Sequence, residues 1–288
     1  MTFRDWYSRY MSLYKRNLAP RTREEYDRIN RVYADPVLGS MELAAITPED
    51  IQLVLINAAE QGGTRQAQTV YSLLHAIMRR AYRSYLVDRS PVDAIDKPEH
   101  DPEEGKQLTE RDYQAALPFI RRNLALSLAL DAGLRRGEIA GLQWGDVDLA
   151  AGYLHIRRQR QRTNGSIIIK TPKSAAGCRD VAISPDLLPI LKRHYQLIPR
   201  AFVIPQAPEY AGRCWSALQR DSLLLSDHYR LHDLRHTYGS RLILKGANLR
   251  AVQYVMGHAS LEVTTRVYSH CTAEQAALEV RKTYAARP

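Results

Sequence analysis

The stretch of sequence richest in reactive side chains is LHDLRHTYGSRL, at residues 231–242. His232 and Arg235 are three residues apart, a spacing that puts two side chains on the same face of a helix. A histidine and an arginine placed together in this way could bind a metal ion, form a salt bridge with an acidic residue, or bind a phosphate group.

The neighbouring residues make a metal site the least favoured of these three. His228, His232 and His236 are spaced four apart, and two histidines at this spacing can bind zinc. However, no glutamate follows in the HExxH arrangement, and Arg230 and Arg235 would place positive charge beside the cation. We therefore expect no metal ion at this segment.

Several other well-known site patterns are missing from the sequence. It has no GxSxG serine-nucleophile motif, no cysteine in a recognisable nucleophile context, and neither a Walker A nor a GxGxxG nucleotide-binding motif. We therefore expect no nucleotide or other cofactor.

Phosphate chemistry is the remaining interpretation. Phosphoryl transfer places negative charge on the non-bridging oxygens of the transition state, and the planar, permanently charged guanidinium group can bond to those oxygens in pairs. Without a metal ion, at least two arginines would be needed. A histidine or lysine can protonate the leaving oxygen, and a tyrosine can attack DNA to form a covalent link that a hydroxyl later reverses.

Residues of these types occur in an order that resembles the tyrosine recombinase, or phage integrase, family. The motifs are DAGLRRGE, KTPKSAAG, HDLRHT, MGHAS and RVYSH. The residues that match the family's catalytic set are Arg135, Lys173, His232, Arg235, His258 and Tyr268. HxxR alone occurs by chance in many proteins, whereas five motifs in the correct order are specific. The match runs from about residue 108 to 272, and the residues before it resemble the family's core-binding domain.

The resemblance implies a role for each of these residues. Tyr268 would attack a scissile phosphate, giving a 3′-phosphotyrosine and a free 5′-hydroxyl. Arg135 and Arg235 would hold the non-bridging oxygens, with a further hydrogen bond from His258. Attack by a 5′-hydroxyl of a partner duplex would then exchange the strands.

Proton transfer would fall to two further residues of the set. Lys173 would protonate the 5′-oxygen, and His232 would assist proton transfer from the tyrosine. Because the phosphodiester energy would be kept in the covalent link, neither ATP nor a metal ion would be required.

Each assignment has a plainer alternative. Arg136 neighbours Arg135, but the family's arginine directly follows Gly-Leu, which selects Arg135; an ordinary ion pair with Glu138 is the alternative. Lys170 lies near Lys173, and loops between strands commonly carry lysines.

The remaining assignments have alternatives too. The histidine–arginine pair could be structural, and His258 could cap a helix. Tyr268 is one of 17 tyrosines, but it lies ten residues after His258, inside VYSH. We expect His236 to be structural, supporting the site from behind.

Net charge and composition fit a nucleic-acid partner. Residues 1–96 hold 13 Lys and Arg against 12 Asp and Glu, and residues 97–288 hold 28 against 19, so the second part carries +9 of the total +10. Such an excess favours polyanions. Three widely spaced cysteines and the absence of a long apolar run or a signal peptide predict a reducing, cytoplasmic setting without membrane contact.

The first part of the chain has the apolar spacing of helices. TFRDWYSRYMSLY, at residues 2–14, predicts one helix, and Thr22 and Thr47 look like capping residues that start two more. Apolar residues every third or fourth position predict a helix from about Thr64 to Leu86. The side chains of Arg79, Arg80 and Arg83 lie mostly off its apolar stripe, either as a solvated face or as a surface that contacts DNA phosphates.

A change of pattern predicts a sheet in the second part. Residues 123–144 look helical, then YLHIRRQRQ and SIIIK flank the turn Thr163-Asn164-Gly165 as a hairpin, and CRDVAI predicts a third strand. We expect a mainly α fold with a small antiparallel β-sheet. By resemblance, the two domains would form a C-shaped clamp on DNA.

The polar segment KPEHDPEEGKQ, at residues 97–107, has the composition of a linker. It separates a predicted helical, SAM-like core-binding domain at 1–96 from a catalytic domain at 108–288. The last residues, about 272–288, look like a helical tail that in this family packs on a neighbouring protomer; packing on its own domain is the alternative.

The partners that the resemblance implies are double-stranded recombination sites, three further copies of the chain in a tetramer, and accessory DNA-bending or directionality proteins. Many phage integrases also carry an N-terminal arm-binding domain, whereas this sequence starts with the core-binding region. It is therefore either a simple recombinase, Xer-like or a short integrase, or part of a longer chain. A type IB topoisomerase and a DNA-binding module with an inactive site are the rival functions.

Overall fold

The computed structural model of the protein describes residues 1–99, 105–163, 165–172, 177–196, 200–221 and 225–257. The chain divides into two compact units, Met1–Glu103 and Glu104–Pro288. This boundary falls within the polar segment 97–107. Each unit buries its own hydrophobic core.

The first unit is built from helices. They are α1 (Phe3–Leu13), α2 (Pro20–Ile29), α3 (Asp35–Leu38) and α4 (Pro48–Arg83). Aromatic residues of α1 are buried at the predicted helical spacing: Phe3, Trp6, Tyr7 and Tyr10. The indole N–H of Trp6 donates to the carbonyl of Ile77 at 3.1 Å, which ties α1 to α4.

One of the two predicted helix starts is confirmed and the other is wrong. Thr47 caps α4 as predicted: its Oγ1 accepts from the amide of Asp50 at 3.3 Å, and the Asp50 carboxylate accepts from the amide of Thr47 at 2.9 Å. Thr22 does not cap a helix, because α2 already begins at Pro20. Proline has the fixed backbone angle of a first helical residue, so it starts the helix three residues earlier than a cap at Thr22 would.

The helix predicted from Thr64 to Leu86 is the second half of α4. Gly63, with φ 73°, interrupts α4, and the apolar stripe after it is buried as predicted at Ala67, Val70, Leu74, Ile77 and Ala81. The predicted end is wrong, since α4 stops at Arg83. Tyr85 takes φ 57°, which ends the helical run and leaves its side chain 97% exposed.

The second unit combines helices with short strands. Its helices are α5 (Glu110–Ile120), α6 (Leu124–Asp131), α7 (Arg136–Gly141), α8 (Leu188–His194), α9 (Tyr210–Asp221), α10 (Leu231–Leu244) and α11 (Leu249–Met256). Its strands are β1 (Val147–Asp148), β2 (Tyr153–Ile156), β3 (Gln159–Thr163), β4 (Ser166–Lys170) and β5 (Arg179–Ala182). α10 packs against α6, α9 and α11.

The predicted hairpin across residues 163–165 and the predicted third strand are confirmed as β3–β4 and β5, but the strands form two antiparallel sheets instead of one. β1, β2 and β5 make a three-stranded sheet, in which Ile156 pairs with Arg179. β3 and β4 make a separate two-stranded sheet. The predicted strand 153–161 is therefore split between Ile156 and Gln159, and each half pairs with a different partner.

Residues 123–144 were predicted as continuous helix, and the structure breaks that helix in the middle. α6 ends at Asp131 and α7 begins at Arg136. Gly133, in the break, has φ 62°, and a side chain there would overlap the ring of Tyr238 on α10. A left-handed backbone angle and close contact with a ring both require glycine. The break turns the chain so that Arg135 comes at the start of α7.

These elements confirm the predicted fold class, mainly α with small antiparallel sheets. Among the residues that the structure describes, no helix has both the length and the apolar character to cross a lipid bilayer.

Candidate active site

Arg235 is a buried residue on the first half of α10. Only 1% of it is exposed, and its guanidinium group donates to two backbone carbonyls, those of Gly133 and Met256. The helix that carries it is capped by Asp233, whose carboxylate accepts from the amide of Arg230 at 2.6 Å. Arg235 therefore connects three segments: the break between α6 and α7, the start of α10 and the end of α11.

Arg135 reaches the same place from the start of α7. Its Nη2 donates to the carbonyl of Gly257 at 2.8 Å and to that of Met256 at 3.2 Å. Since Arg235 donates to that same Met256 oxygen, the two guanidinium groups lie side by side. The predicted pair of arginines thus converges on one point, although 100 residues separate them in the sequence.

The C-terminal end of α11 is suited to bind two positively charged arginine side chains. Met256 is its last residue, and the carbonyls at a helix C-terminus carry partial negative charge. Gly257 follows with φ 58°, the left-handed conformation that commonly ends a helix. This turn directs consecutive carbonyls at the arginines, immediately before His258 in the sequence.

A buried carboxylate lies behind Arg135. Glu138 is 3% exposed and its Oε1 lies 2.9 Å from Nη1 of Arg135, while its Oε2 accepts from the Arg135 amide at 2.9 Å. The ion pair that was the plainer alternative for Arg135 is therefore present. It does not replace the other contacts of Arg135, because the same guanidinium group also reaches Met256 and Gly257.

Glu138 has a second partner, the fully buried Arg179 of β5, which bonds to both of its oxygens at 3.0 and 2.9 Å. Burial by itself raises the pKa of the Glu138 carboxyl. Hydrogen bonding and charge from Arg179, followed by the charges of Arg135 and Arg235, outweigh burial and lower that pKa to about 2. Glu138 is therefore ionised at neutral pH.

His232 lies on α10 about one helical turn before Arg235, and its ring contacts that of His236. The two imidazole rings meet edge to face, with centroids 4.7 Å apart. Behind them, a side chain at Gly105 would overlap the ring of His236. The amide of Leu108 donates to Oγ1 of Thr237 at 2.9 Å, so the backbone at 105–108 packs directly on α10. His236 has the supporting position that the sequence led us to expect.

The environment of His232 disfavours its protonated form. The residue is exposed, and its ring lies edge to face against that of His236. Loss of hydration around the imidazole, followed by the charges of His236, Arg235 and Arg135, lowers the pKa of His232 to about 3. The imidazole is therefore neutral near pH 7 and able to accept a proton.

We expect this shift to appear in the pH dependence of stability. The pKa is about 3 in the folded protein and ordinarily 6.5, so between these values the unfolded chain binds a proton that the folded chain does not. The contribution of neutral His232 to stability is thus complete above about pH 6.5 and is lost as the pH falls. Relative to wild type, His232→Gln should become more stable on going from about pH 7.5 to about pH 5. Urea denaturation at both pH values measures this difference, and parallel pH dependence of the two proteins would contradict it.

The structure does not describe every predicted site residue. Three of them lie outside the described residues: Lys173, His258 and Tyr268. In the first unit, Arg79 and Arg83 are exposed on α4, whereas the guanidinium carbon of Arg80 lies 3.8 Å from the centre of the Tyr14 ring. Across the described ranges, no three His, Cys, Asp or Glu side chains come together where they could share a metal ion.

Two contributors to the site were missed in the sequence. Glu138 was considered only as an ion-pair partner, although its position three residues after Arg135 indicated the contact. Arg179 was treated as an ordinary strand residue. Its signal was the alternation of β5, where Arg179 and Val181 both face inward and an inward charge requires a buried partner.

The sequence is similar to known families and proteins along most of its length. The sequence profile described as the phage integrase family matches residues 101–275, and the profile of the phage integrase N-terminal SAM-like domain matches residues 2–58. A tyrosine recombinase XerC of Pelobacter propionicus is 28% identical over 278 residues, covering 91% of this chain and 88% of that protein. The transposase of transposon Tn916 from Enterococcus faecalis is 26% identical, covering 85% and 68% of the two chains.

Solved structures share the fold. The integrase of transposon Tn1549, in complex with transposon right-end DNA, superposes with a TM-score of 0.81 at 22% identity, covering 98% of this chain and 99% of that one. A lambda integrase dimer bound to a COC′ core site superposes with a TM-score of 0.70 at 20% identity, covering 93% and 95%. The profile match spans more than half of the chain and contains every residue of the paired-arginine site. The chain therefore belongs to the phage integrase family of tyrosine recombinases, enzymes that transfer DNA strands.

Proposed function

We propose that this protein is a site-specific DNA recombinase that integrates or excises a mobile element through a 3′-phosphotyrosine intermediate at Tyr268. The observation that carries the proposal is the convergence of Arg135 and Arg235 on the carbonyl of Met256. Two guanidinium groups held side by side match the two non-bridging oxygens of one phosphodiester. Tyr268 and His258 both fall within the part of the sequence that matches the family.

In the proposed reaction, the Tyr268 hydroxyl loses its proton and attacks the scissile phosphorus. A phosphorus–tyrosine bond forms while the bond to the 5′-oxygen breaks, and Lys173 supplies the proton that the 5′-oxygen takes up. Arg135 and Arg235 stabilise the extra negative charge on the phosphorus oxygens, with a hydrogen bond from His258. The reverse reaction, with a 5′-hydroxyl from another duplex, joins the exchanged strands.

His232 is suited to receive the tyrosine proton. Its pKa of about 3 keeps the imidazole neutral in the DNA-free protein. A bound phosphate would add negative charge beside it and would raise that pKa, because an opposite charge favours the protonated form. The groups of this chain thus provide the charge, the proton acceptor and the nucleophile of the cycle.

We further propose how the protein engages DNA. Both units contact the duplex, and in the first unit the exposed Arg79 and Arg83 of α4 contact phosphates while Arg80 stacks on Tyr14. Strand exchange between two duplexes uses four active sites, and a lambda integrase forms a tetramer on a Holliday junction. By this analogy the chain acts as a tetramer in the cytoplasm, with tail 272–288 packing on a neighbouring protomer and with accessory DNA-bending or directionality proteins.

The test of this function starts from an unknown target sequence. A pool of duplexes with randomised sequence, each carrying one nick, is incubated with the full chain. On such substrates the short strand beyond the cut diffuses away, so the covalent intermediate cannot be resealed. We expect protein–DNA adducts that survive denaturation. Sequencing the attached DNA identifies a preferred site, and a duplex that carries this site is the captured duplex.

A reaction between two captured duplexes then distinguishes a recombinase from the rival functions. We expect it to yield products with exchanged strands. Relaxation of a supercoiled plasmid without any exchanged product would instead identify a topoisomerase. DNA binding without an adduct would identify an inactive binding module, and exchange confined to directly repeated sites on one plasmid would identify an Xer-like dimer resolvase.

A further inference from the structure

Arg179 is a charged residue in the interior of the second unit. It is 1% exposed, at a position of β5 that faces inward together with Val181. Its guanidinium group bonds to both oxygens of Glu138, at 3.0 and 2.9 Å, and its Nε donates to the carbonyl of Val255 at 2.6 Å. It also donates to the carbonyl of Gly177 at 3.3 Å. Burying a charge in this way is costly unless it is fully bonded, and this group has a carboxylate and two carbonyls.

These contacts join the segments that carry the proposed catalytic groups. Glu138 holds both the backbone and the side chain of Arg135. Val255 immediately precedes Met256, whose carbonyl accepts from both catalytic arginines. Gly177 follows the loop in which Lys173 lies in the sequence. One side chain therefore connects the backbone on three sides of the site.

The charge balance of the site also depends on Arg179. Glu138 is one carboxylate shared among Arg135, Arg179 and, at longer range, Arg235. Three guanidinium groups and one carboxylate give the site a net charge of +2, which attracts a phosphate. Without Arg179 the balance would be +1, and both oxygens of Glu138 could pair with Arg135, which already bonds to one of them through its side chain, and so compete with the phosphate.

We infer that Arg179 is a positioning residue of the strand-transfer site, which orients Glu138 and so directs Arg135 at the scissile phosphate. This inference rests on the proposed function. A bidentate guanidinium–carboxylate pair has a fixed planar geometry, so it sets the rotation of the carboxylate as well as its place. Lysine keeps the charge but cannot form this pair.

The test compares Arg179→Met and Arg179→Lys with wild type on the captured duplex. Single-turnover adduct formation should fall about 100-fold in Arg179→Met and about 10-fold in Arg179→Lys, because misplacing a reacting group by about 1 Å costs that order of rate. Binding to the uncut duplex should stay within about threefold, since the guanidinium group of Arg179 is already bonded to Glu138 and to the carbonyl of Val255. If Arg179→Met does not fold, Arg179→Lys carries the comparison.

A second substrate separates positioning from general damage. A methylphosphonate at the scissile position replaces one charged oxygen with a methyl group, so the reacting group is neutral and depends less on a well-placed arginine. We expect the defect of each Arg179 variant, relative to wild type, to shrink at least about tenfold on this substrate. Partial unfolding would lower the rates on both substrates equally.

Arg160 provides the matched control. It is also buried, at 6% exposure, but its guanidinium group donates to the carbonyls of Ile204 and Gln206 and stacks on Phe202. Arg160→Met should lower the melting temperature without a substrate-dependent change in adduct formation. The inference is overturned if Arg179→Lys forms adducts at the wild-type rate, or if its defect is the same on both substrates. Absence of any adduct with wild type would instead contradict the proposed function itself.

Discussion

Arg235→Ala should abolish DNA cleavage and leave DNA binding nearly intact. The guanidinium group of Arg235 is buried and fixed by the carbonyls of Gly133 and Met256, so it is preorganised for charge that develops on a phosphate. Removing a preorganised arginine from a phosphoryl-transfer site typically costs a factor of about 10³ or more. Affinity for duplex DNA comes from many phosphate contacts, so losing one should weaken binding by less than about tenfold.

The measurement pairs adduct formation with anisotropy on the uncut captured duplex. Arg235→Lys keeps a positive charge in the buried site, and it should fold like wild type while still cleaving slowly. Arg241→Ala, on the same helix, is the matched control: Arg241 forms an ion pair with Glu110 at 2.7 Å and stacks on Tyr113. We expect it to retain cleavage. If binding and cleavage fell in parallel in Arg235→Ala, the residue would be a docking contact and not part of the reaction.

Local patterns predicted the helices well and their ends less well. Aromatic spacing placed α1, and the Thr47 capping box placed the start of α4, because both signals are contained within a few residues. The ends depended on single backbone angles. Tyr85 and Gly133 adopt positive φ. The spacing of apolar residues does not reveal such backbone angles, so the ends of α4 and α6 were misplaced. The split between β2 and β3 arises because the two strands pair with different partners. The alternation of inward- and outward-facing residues within one strand does not show which strand it pairs with.

The site residues were predicted by motif and not by geometry. HDLRHT and GLRRGE marked Arg235 and Arg135, but nothing local indicated that both would donate to one carbonyl of α11. Arg179 shows the limit most clearly. Its role depends on Glu138, 41 residues earlier, and on the backbone of Val255, 76 residues later. Only the folded chain brings these three together.

Tyr268→Phe should eliminate the covalent intermediate. The substitution removes one hydroxyl oxygen, and with it the atom that would bond to phosphorus, so adduct formation should fall by at least about four orders of magnitude. Tyr254→Phe is the matched control: Tyr254 is 56% exposed on α11, and its hydroxyl accepts from the amide of Asp180. We expect Tyr254→Phe to form adducts like wild type.

The most direct measurement is to find the amino acid to which the DNA is attached. Trypsin cuts after Arg266 and Arg281, and the peptide between them, VYSHCTAEQAALEVR, contains Tyr268 as its single tyrosine. Mass spectrometry of the wild-type adduct should place the nucleotide mass on this peptide, at Tyr268, and Tyr268→Phe should give no adduct. An adduct mapped to any other residue, or one that forms undiminished in Tyr268→Phe, would contradict the proposed mechanism.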